Sequence, residues 1–214
     1  MKALLAAMLL AGAAAQTGPE FAAVEDTPGL PRVLLIGDSI SIGYTLPVRE
    51  LLRGKANVHR IPDNGGPTTR GIAQLDAWLG HGRWDVIHFN FGLHDLKINP
   101  DGSRQVPLEE YGRNLREIAA RLKKTGARLV WATTTPVPGA TANPPRQAAD
   151  VVAYNAAARR VAEENGIAID DLYGFALPKL AGIQIPANVH FTKEGYRALA
   201  ERVAEAIAAQ LNRP

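Results

Sequence analysis

A serine delivered to the end of a buried strand is a nucleophile waiting for a base, and this chain contains one. The run Val33-Leu34-Leu35-Ile36 is wholly apolar and stops abruptly at Gly37-Asp38-Ser39. Far downstream stands His190, in Asn188-Val189-His190-Phe191-Thr192. A serine hydroxyl is a poor nucleophile until a neighbouring base takes its proton, and histidine suits that role near neutral pH. The pair therefore suggests acyl transfer. Asp38 is expected to be structural, its carboxylate bonding backbone N–H groups of the following turn.

The elements that must carry these residues alternate along the chain. Short apolar runs at Arg32–Gly37, Asn57–Ile61, Asp85–Phe91, Arg128–Thr133 and Ile167–Asp170 read as strands. Helical patterns separate them. Leu108, Tyr111, Leu115, Ile118 and Leu122 recur at three- and four-residue steps, with Pro107 before them and Gly126 after. Further helices are expected over Thr69–Leu79, over Ala148–Glu164 ahead of Asn165-Gly166, and from Thr192 as N-cap through Leu211. Alternation of this kind implies parallel pairing with crossover helices on both faces. The expected fold is α/β: a three-layer α/β/α sandwich on a five-stranded parallel sheet, flavodoxin-like, in the order 2-1-3-4-5. Ligands then bind at the carboxyl ends of the strands, where Gly37-Asp38-Ser39 and Asn90 to Asp95 both fall.

Composition narrows the field. The net charge of +3 is small, and Arg121, Lys123 and Lys124 cluster where a helix ends, so no nucleic acid partner is implied. The chain has no cysteine, which removes disulfides, a lipidation cysteine and thiolate metal sites. No His-x-x-x-His occurs; no metal and no cofactor are expected. His59 and His88 lie on strands and are expected to be structural, as are Trp78, Trp84 and Trp131. Met1-Lys2 followed by an Ala/Leu/Met run to Ala15 reads as a signal peptide, too short to span a bilayer. Residues 16–30 read as a flexible leader and 31–214 as one domain. The expected location is secreted or periplasmic. Oligomeric state is not encoded in any pattern here.

The order of the motifs resembles the SGNH, or GDSL-type, hydrolases, a family of α/β/α serine esterases, lipases and thioesterases. The resemblance covers nearly all of the chain after residue 31. It implies Ser39, in Gly37-Asp38-Ser39-Ile40, as nucleophile and His190 as base. It also implies an oxyanion hole from Ser39 N–H, a glycine N–H and an asparagine side chain. The glycine falls in Asn64-Gly65-Gly66-Pro67-Thr68-Thr69, where Gly66 is favoured and Gly65 stays open. Two departures follow. The family's Gly-x-Asn-Asp is here Gly92-Leu93-His94-Asp95, so His94 stands in for the donor, with Asp95 as its support and Asn90 as a second candidate. The family's Asp-x-x-His is here Ala187-Asn188-Val189-His190, so the orienting acid is missing.

Three explanations of that gap stay open: a Ser39–His190 dyad oriented by a backbone carbonyl or water, a carboxylate reaching in from Asp170 or Asp171, or weak activity. The long loop Thr135–Arg146 leaves the same sheet edge and is expected to line the cleft, with Arg146 a candidate contact for an acidic group. The expected function is hydrolysis of a short-chain acyl ester, small-molecule or glycan, with a carbohydrate O-acetyl group foremost. The alternatives are a weakened protein that binds glycan, or a lysophospholipase or thioesterase of the same fold. A nucleotide module is disfavoured, because Gly37-Asp38-Ser39 has no glycine-rich phosphate loop.

Overall fold

A computed structural model describes residues 17–138 and 143–213. The segment expected as a signal peptide, residues 1–15, lies outside the described residues. Five strands, β1 (Arg32–Ile36), β2 (Asn57–Arg60), β3 (Val86–Phe89), β4 (Arg128–Ala132) and β5 (Ala168–Asp170), form one sheet in the order β2-β1-β3-β4-β5, every pair parallel. The flanking helices are α1 (Ser39–Leu51), α2 (Thr68–Leu79), α3 (Leu108–Lys123), α4 (Ala148–Glu164), α5 (Leu172–Ala176), α6 (Leu180–Ile183) and α7 (Lys193–Leu211). This is the expected α/β/α sandwich in the expected strand order.

Strand β1 explains its own sequence. Val33 to Ile36 are at most 1 % exposed, covered on both faces, so the run is apolar throughout rather than alternating. Strands β1 to β4 stop one or two residues short of their apolar runs, whose last residues lead into the following loops, while β5 ends at Asp170 as expected. Ile36 pairs with Phe89, so the loops carrying Ser39 and His94 leave neighbouring strands at one level.

Helix α1 escaped the sequence reading because Gly43 and Pro47 lie inside it and break the helical pattern. Gly43 has a positive reason to be there: a Cβ on it would lie 2.2 Å from the Tyr196 ring of α7. The short helices α5 and α6 also went unread. They are too brief to show a period.

The segment expected as a flexible leader is pinned to the domain over the residues described. Arg49 donates to Pro19 O and Ala22 O, the Thr27 N–H donates to Asn57 Oδ1, and Asp26 pairs with Arg32 and His59. Phe21 lies under the Arg60 guanidinium, 5.1 Å from its ring centroid. The polar edge of β2 supplies partners that composition could not reveal.

Gly92 turns the chain out of β3 at φ 143°, and a Cβ there would meet Thr134 Oγ1 at 2.3 Å. Replacing Gly92 with Ala should cost about 2 kcal/mol or more, through strain and displacement of Thr134. Urea unfolding followed by circular dichroism measures this, and a loss below about 0.5 kcal/mol would contradict it.

Candidate active site

Ser39 is the first residue of α1. Asp38 is the N-cap, its Oδ1 accepting from the Ile40 N–H at 2.9 Å, as expected for a structural carboxylate. The Ser39 N–H is thus among the helix N-terminal donors that have no intrahelical acceptor. The turn before it is braced from β2. Arg60 donates to Gly37 O at 3.3 Å, to Asp63 O at 3.1 Å and to Thr45 Oγ1 at 3.1 Å, while the Gly65 N–H also reaches Gly37 O at 3.0 Å. Burial lowers the Arg60 pKa to about 10, still leaving it a cation at neutral pH.

His190 comes from the other end of the chain. Val189 and Phe191 on either side are buried, and this alternation turns His190 toward the sheet edge. Its Nε2 lies 2.9 Å from Ser39 Oγ. Its Nδ1 lies 2.7 Å from Asn188 Oδ1, which also accepts from the His190 backbone N–H at 3.0 Å. That second bond decides the chemistry. An amide oxygen that accepts a backbone N–H must face the imidazole as an acceptor, so Nδ1 carries the ring proton. Nε2 is then left with a lone pair directed at the serine hydroxyl.

Asn188 is the orienting group that sequence reasoning missed. It stands two residues before the histidine, not three, and is an amide rather than an acid. The readable signal was the Asn-x-His spacing, which lets a side-chain oxygen cap the backbone two residues on. The turn Ile185-Pro186-Ala187-Asn188 sets this up: the Asn188 N–H donates to Ile185 O at 3.1 Å, with Ala187 left-handed at φ 54°.

The carboxylates expected as support sit elsewhere. Asp170 Oδ2 lies 3.0 Å from His88 Nε2, with both side chains fully buried. Asp171 caps α5 through the Gly174 N–H and accepts from Thr133 Oγ1. Asp95 does not hold His94; its Oδ1 accepts from the Thr68 N–H and hydroxyl at 2.8 and 2.5 Å. Burial raises the Asp95 pKa to about 6, against the lowering effect of those bonds. Asn90 is also committed, donating to Ala132 O at 2.7 Å.

The oxyanion candidates gather at one cleft of about 380 Å³, bordered by Ser39, Asn64, His94, Lys97, Asn143, Pro144, Arg146 and the 187–190 segment. His94 is neutral there. Burial, reinforced by Lys97, Arg146 and His190 and opposed by Asp38, lowers its pKa to about 4. Lys97 Nζ lies 3.0 Å from His94 Nδ1, so Nδ1 accepts and the ring proton sits on Nε2 as a donor. Of the two glycines, Gly65 has spent its N–H on Gly37 O. The Gly66 N–H is held by Asn64 Oδ1 at 2.9 Å, a side chain that a substrate oxygen can displace. The loop after β4 borders the cleft, as expected. Arg146 is among the residues that border it, and donates to Leu93 O and Pro144 O.

With this arrangement in view, comparison with known proteins is decisive. A model of the GDSL-like lipase/acylhydrolase family matches residues 35–198. The chain belongs to that family. It is accordingly a serine esterase of the GDSL/SGNH type, and the solved structures it resembles share its fold. An acetyl xylan esterase superposes with a TM-score of 0.72 at 17 % identity, covering 82 % of this chain and 99 % of that one. A lipase/acylhydrolase from Enterococcus faecalis gives 0.73 at 18 %, covering 84 % and 96 %. A catalytic mutant of an acetylxylan esterase from Geobacillus stearothermophilus gives 0.68 at 19 %, covering 83 % and 94 %. No curated protein matches the sequence of this esterase.

Two outcomes are expected. Asp170→Ala leaves His88 Nε2 in the core without its partner and should cost about 1–3 kcal/mol in urea unfolding, while the folded enzyme keeps its kcat. A kcat collapse in still-folded protein would put Asp170 back at the site. His94 gives a pH effect. Its folded pKa lies below the unfolded value of about 6.5, so the unfolded chain takes up the proton first. The stability this lends is present above about pH 6.5 and is lost as pH falls toward 4. His94→Asn should remove that loss, so the wild type weakens relative to the variant between pH 7 and pH 5. Asp95 acts in the opposite sense between about pH 4 and 6, but equally in both proteins. Parallel unfolding curves at both pH values would contradict the His94 assignment.

Proposed function

We propose that this esterase cleaves short-chain acyl esters, with an O-acetyl group on a carbohydrate as the preferred substrate, and that it acts outside the cytoplasm. The observation that carries the mechanism is the relay Ser39 Oγ–His190 Nε2–Asn188 Oδ1, at 2.9 and 2.7 Å. His190 Nε2 takes the hydroxyl proton as Oγ attacks the ester carbonyl. Asn188 Oδ1 stays hydrogen-bonded to the Nδ1–H of the imidazolium that forms. The tetrahedral oxyanion is met by the Ser39 N–H, by the Gly66 N–H once Asn64 swings aside, and by His94 Nε2–H. Donors of this kind are worth about 3–4 kcal/mol each when placed on the oxyanion. His190 then gives its proton to the leaving alcohol, and water repeats the sequence in reverse to free the acid.

The acetyl preference draws support from the acetylxylan esterases among the structural neighbours, and export from the Met1–Ala15 run. A binding-only role had one argument in its favour, the missing acid at Ala187. Asn188 supplies the orienting contact by another route, and that argument lapses.

Hydrolysis of p-nitrophenyl acetate and of acetylated xylo-oligosaccharides tests the reading. Ser39→Ala and His190→Ala should fall to background, and Ser39 should be labelled by a fluorophosphonate. Asn188→Ala should lower kcat roughly 10²- to 10⁴-fold, since the imidazole loses its fixed tautomer. An Asn188→Ala enzyme within about threefold of wild type would show that the amide plays no part.

A further inference from the structure

Among the described residues, those that border the cleft beside Ser39 include two cations and no carboxylate. Lys97 and Arg146 border it, together with neutral side chains and His94. Their positions are fixed. The Ile98 N–H donates to Pro145 O at 3.0 Å, so the residues next to Lys97 and Arg146 are bonded backbone to backbone. Arg146 is braced by its Nε on Leu93 O at 2.9 Å and its Nη1 on Pro144 O at 2.9 Å.

The same two loops show what a satisfied cation looks like. Arg104, facing outward, forms a two-pronged pair with Asp150 at 2.7 and 3.1 Å and also reaches Gln147. Arg70 near the cleft has Asp63. Lys97 and Arg146 have no ion pair among the described residues: Lys97 touches an imidazole nitrogen, and Arg146 touches neutral carbonyls. Arg146 is only 3 % exposed. Holding a guanidinium that deep without an ion-paired carboxylate is costly, and beyond burial the repulsion between the two cations also lowers the Lys97 pKa. Asp38 attracts both cations and Asp95 attracts Lys97, but neither carboxylate forms an ion pair with them. A site that keeps two rigid, unpaired cations around an open volume is built for an anion from outside.

We propose that Lys97 and Arg146 form an anion subsite that selects esters bearing a negative group, a carboxylate or a phosphate, on the alcohol portion. This rests on the esterase reading above. An acetyl group carries no charge, so the anion must belong to the part that leaves. An O-acetylated acidic sugar fits: its acyl carbon faces Ser39 while its anion reaches the two side chains.

The experiment compares kcat/KM of the full chain on matched acetates: methyl galactopyranoside, its uronate, and its 6-phosphate, with p-nitrophenyl acetate as neutral reference. One or both anionic sugars should be preferred roughly 10- to 100-fold over the neutral sugar, as for hydrogen bonds to a charged group. The better anion identifies the source. The preference should shrink in 0.5 M salt, and in Arg146→Gln and Lys97→Met it should fall toward unity. Reading it as a ratio cancels any general loss of activity in the variants. Equal rates on anionic and neutral sugars, with p-nitrophenyl acetate still turned over, overturn the anion subsite and leave the esterase standing. If no ester is turned over, calorimetry of the wild type with galacturonate and galactose decides. Tighter galacturonate binding supports the subsite while the catalytic reading falls; equal binding overturns the subsite as well.

Discussion

Ser39 and His190 lie 151 residues apart and must meet at 2.9 Å, so the site depends on how closely α1 approaches α7. That approach is made by a glycine. Gly43 lets the Tyr196 ring rest on the α1 backbone, where any side chain would push the helices apart. Ser39 begins one of these helices, and His190 comes just before the other, whose N-cap is Thr192. Their packing therefore sets the distance between nucleophile and base. Phe191, buried and edge-on to Tyr196, ties the histidine segment into the same contact. A reacting pair supported by two packed helices keeps its geometry better than one carried on free loops.

Around this contact, hydrogen bonds settle which nitrogens carry protons. Asn188 fixes His190 with its proton on Nδ1, and Lys97 fixes His94 with its proton on Nε2. The two histidines thus have opposite roles at one cleft, one presenting a lone pair and the other a donor. A cationic His94 would repel the imidazolium that forms on His190. Burial keeps His94 neutral and avoids that conflict. The cost is a patch of positive charge at the cleft, which is also what suits it to an anionic ligand.

The legible part of this chain was its frame. Sheet order, the ends of α4, the Thr192 cap, the structural Asp38 and the pairing of Ser39 with His190 all followed from local pattern or motif order. Helix α1 did not, because Gly43 and Pro47 serve packing and the turn geometry rather than helix propensity. The attachment of residues 17–30 did not, because its partners Asn57, His59 and Arg60 belong to another strand. Asp95, Asp170 and Asp171 each seemed free to help a histidine at the site, yet each is committed to another group.

By itself, then, the sequence determined the α/β/α sandwich and which residues reach the carboxyl ends of its strands, because periodicity and strand alternation are local properties of the chain. The tertiary structure decided that Asn188, not a carboxylate, orients His190. It also decided that Gly65 is spent, that His94 is neutral, and that Lys97 and Arg146 share one cleft with no ion pair among the described residues. Burial and charge pairing depend on neighbours brought together from distant parts of the chain, and no local pattern records them; the tautomers rest on contacts two and three residues away, of which only the Asn-x-His spacing was readable.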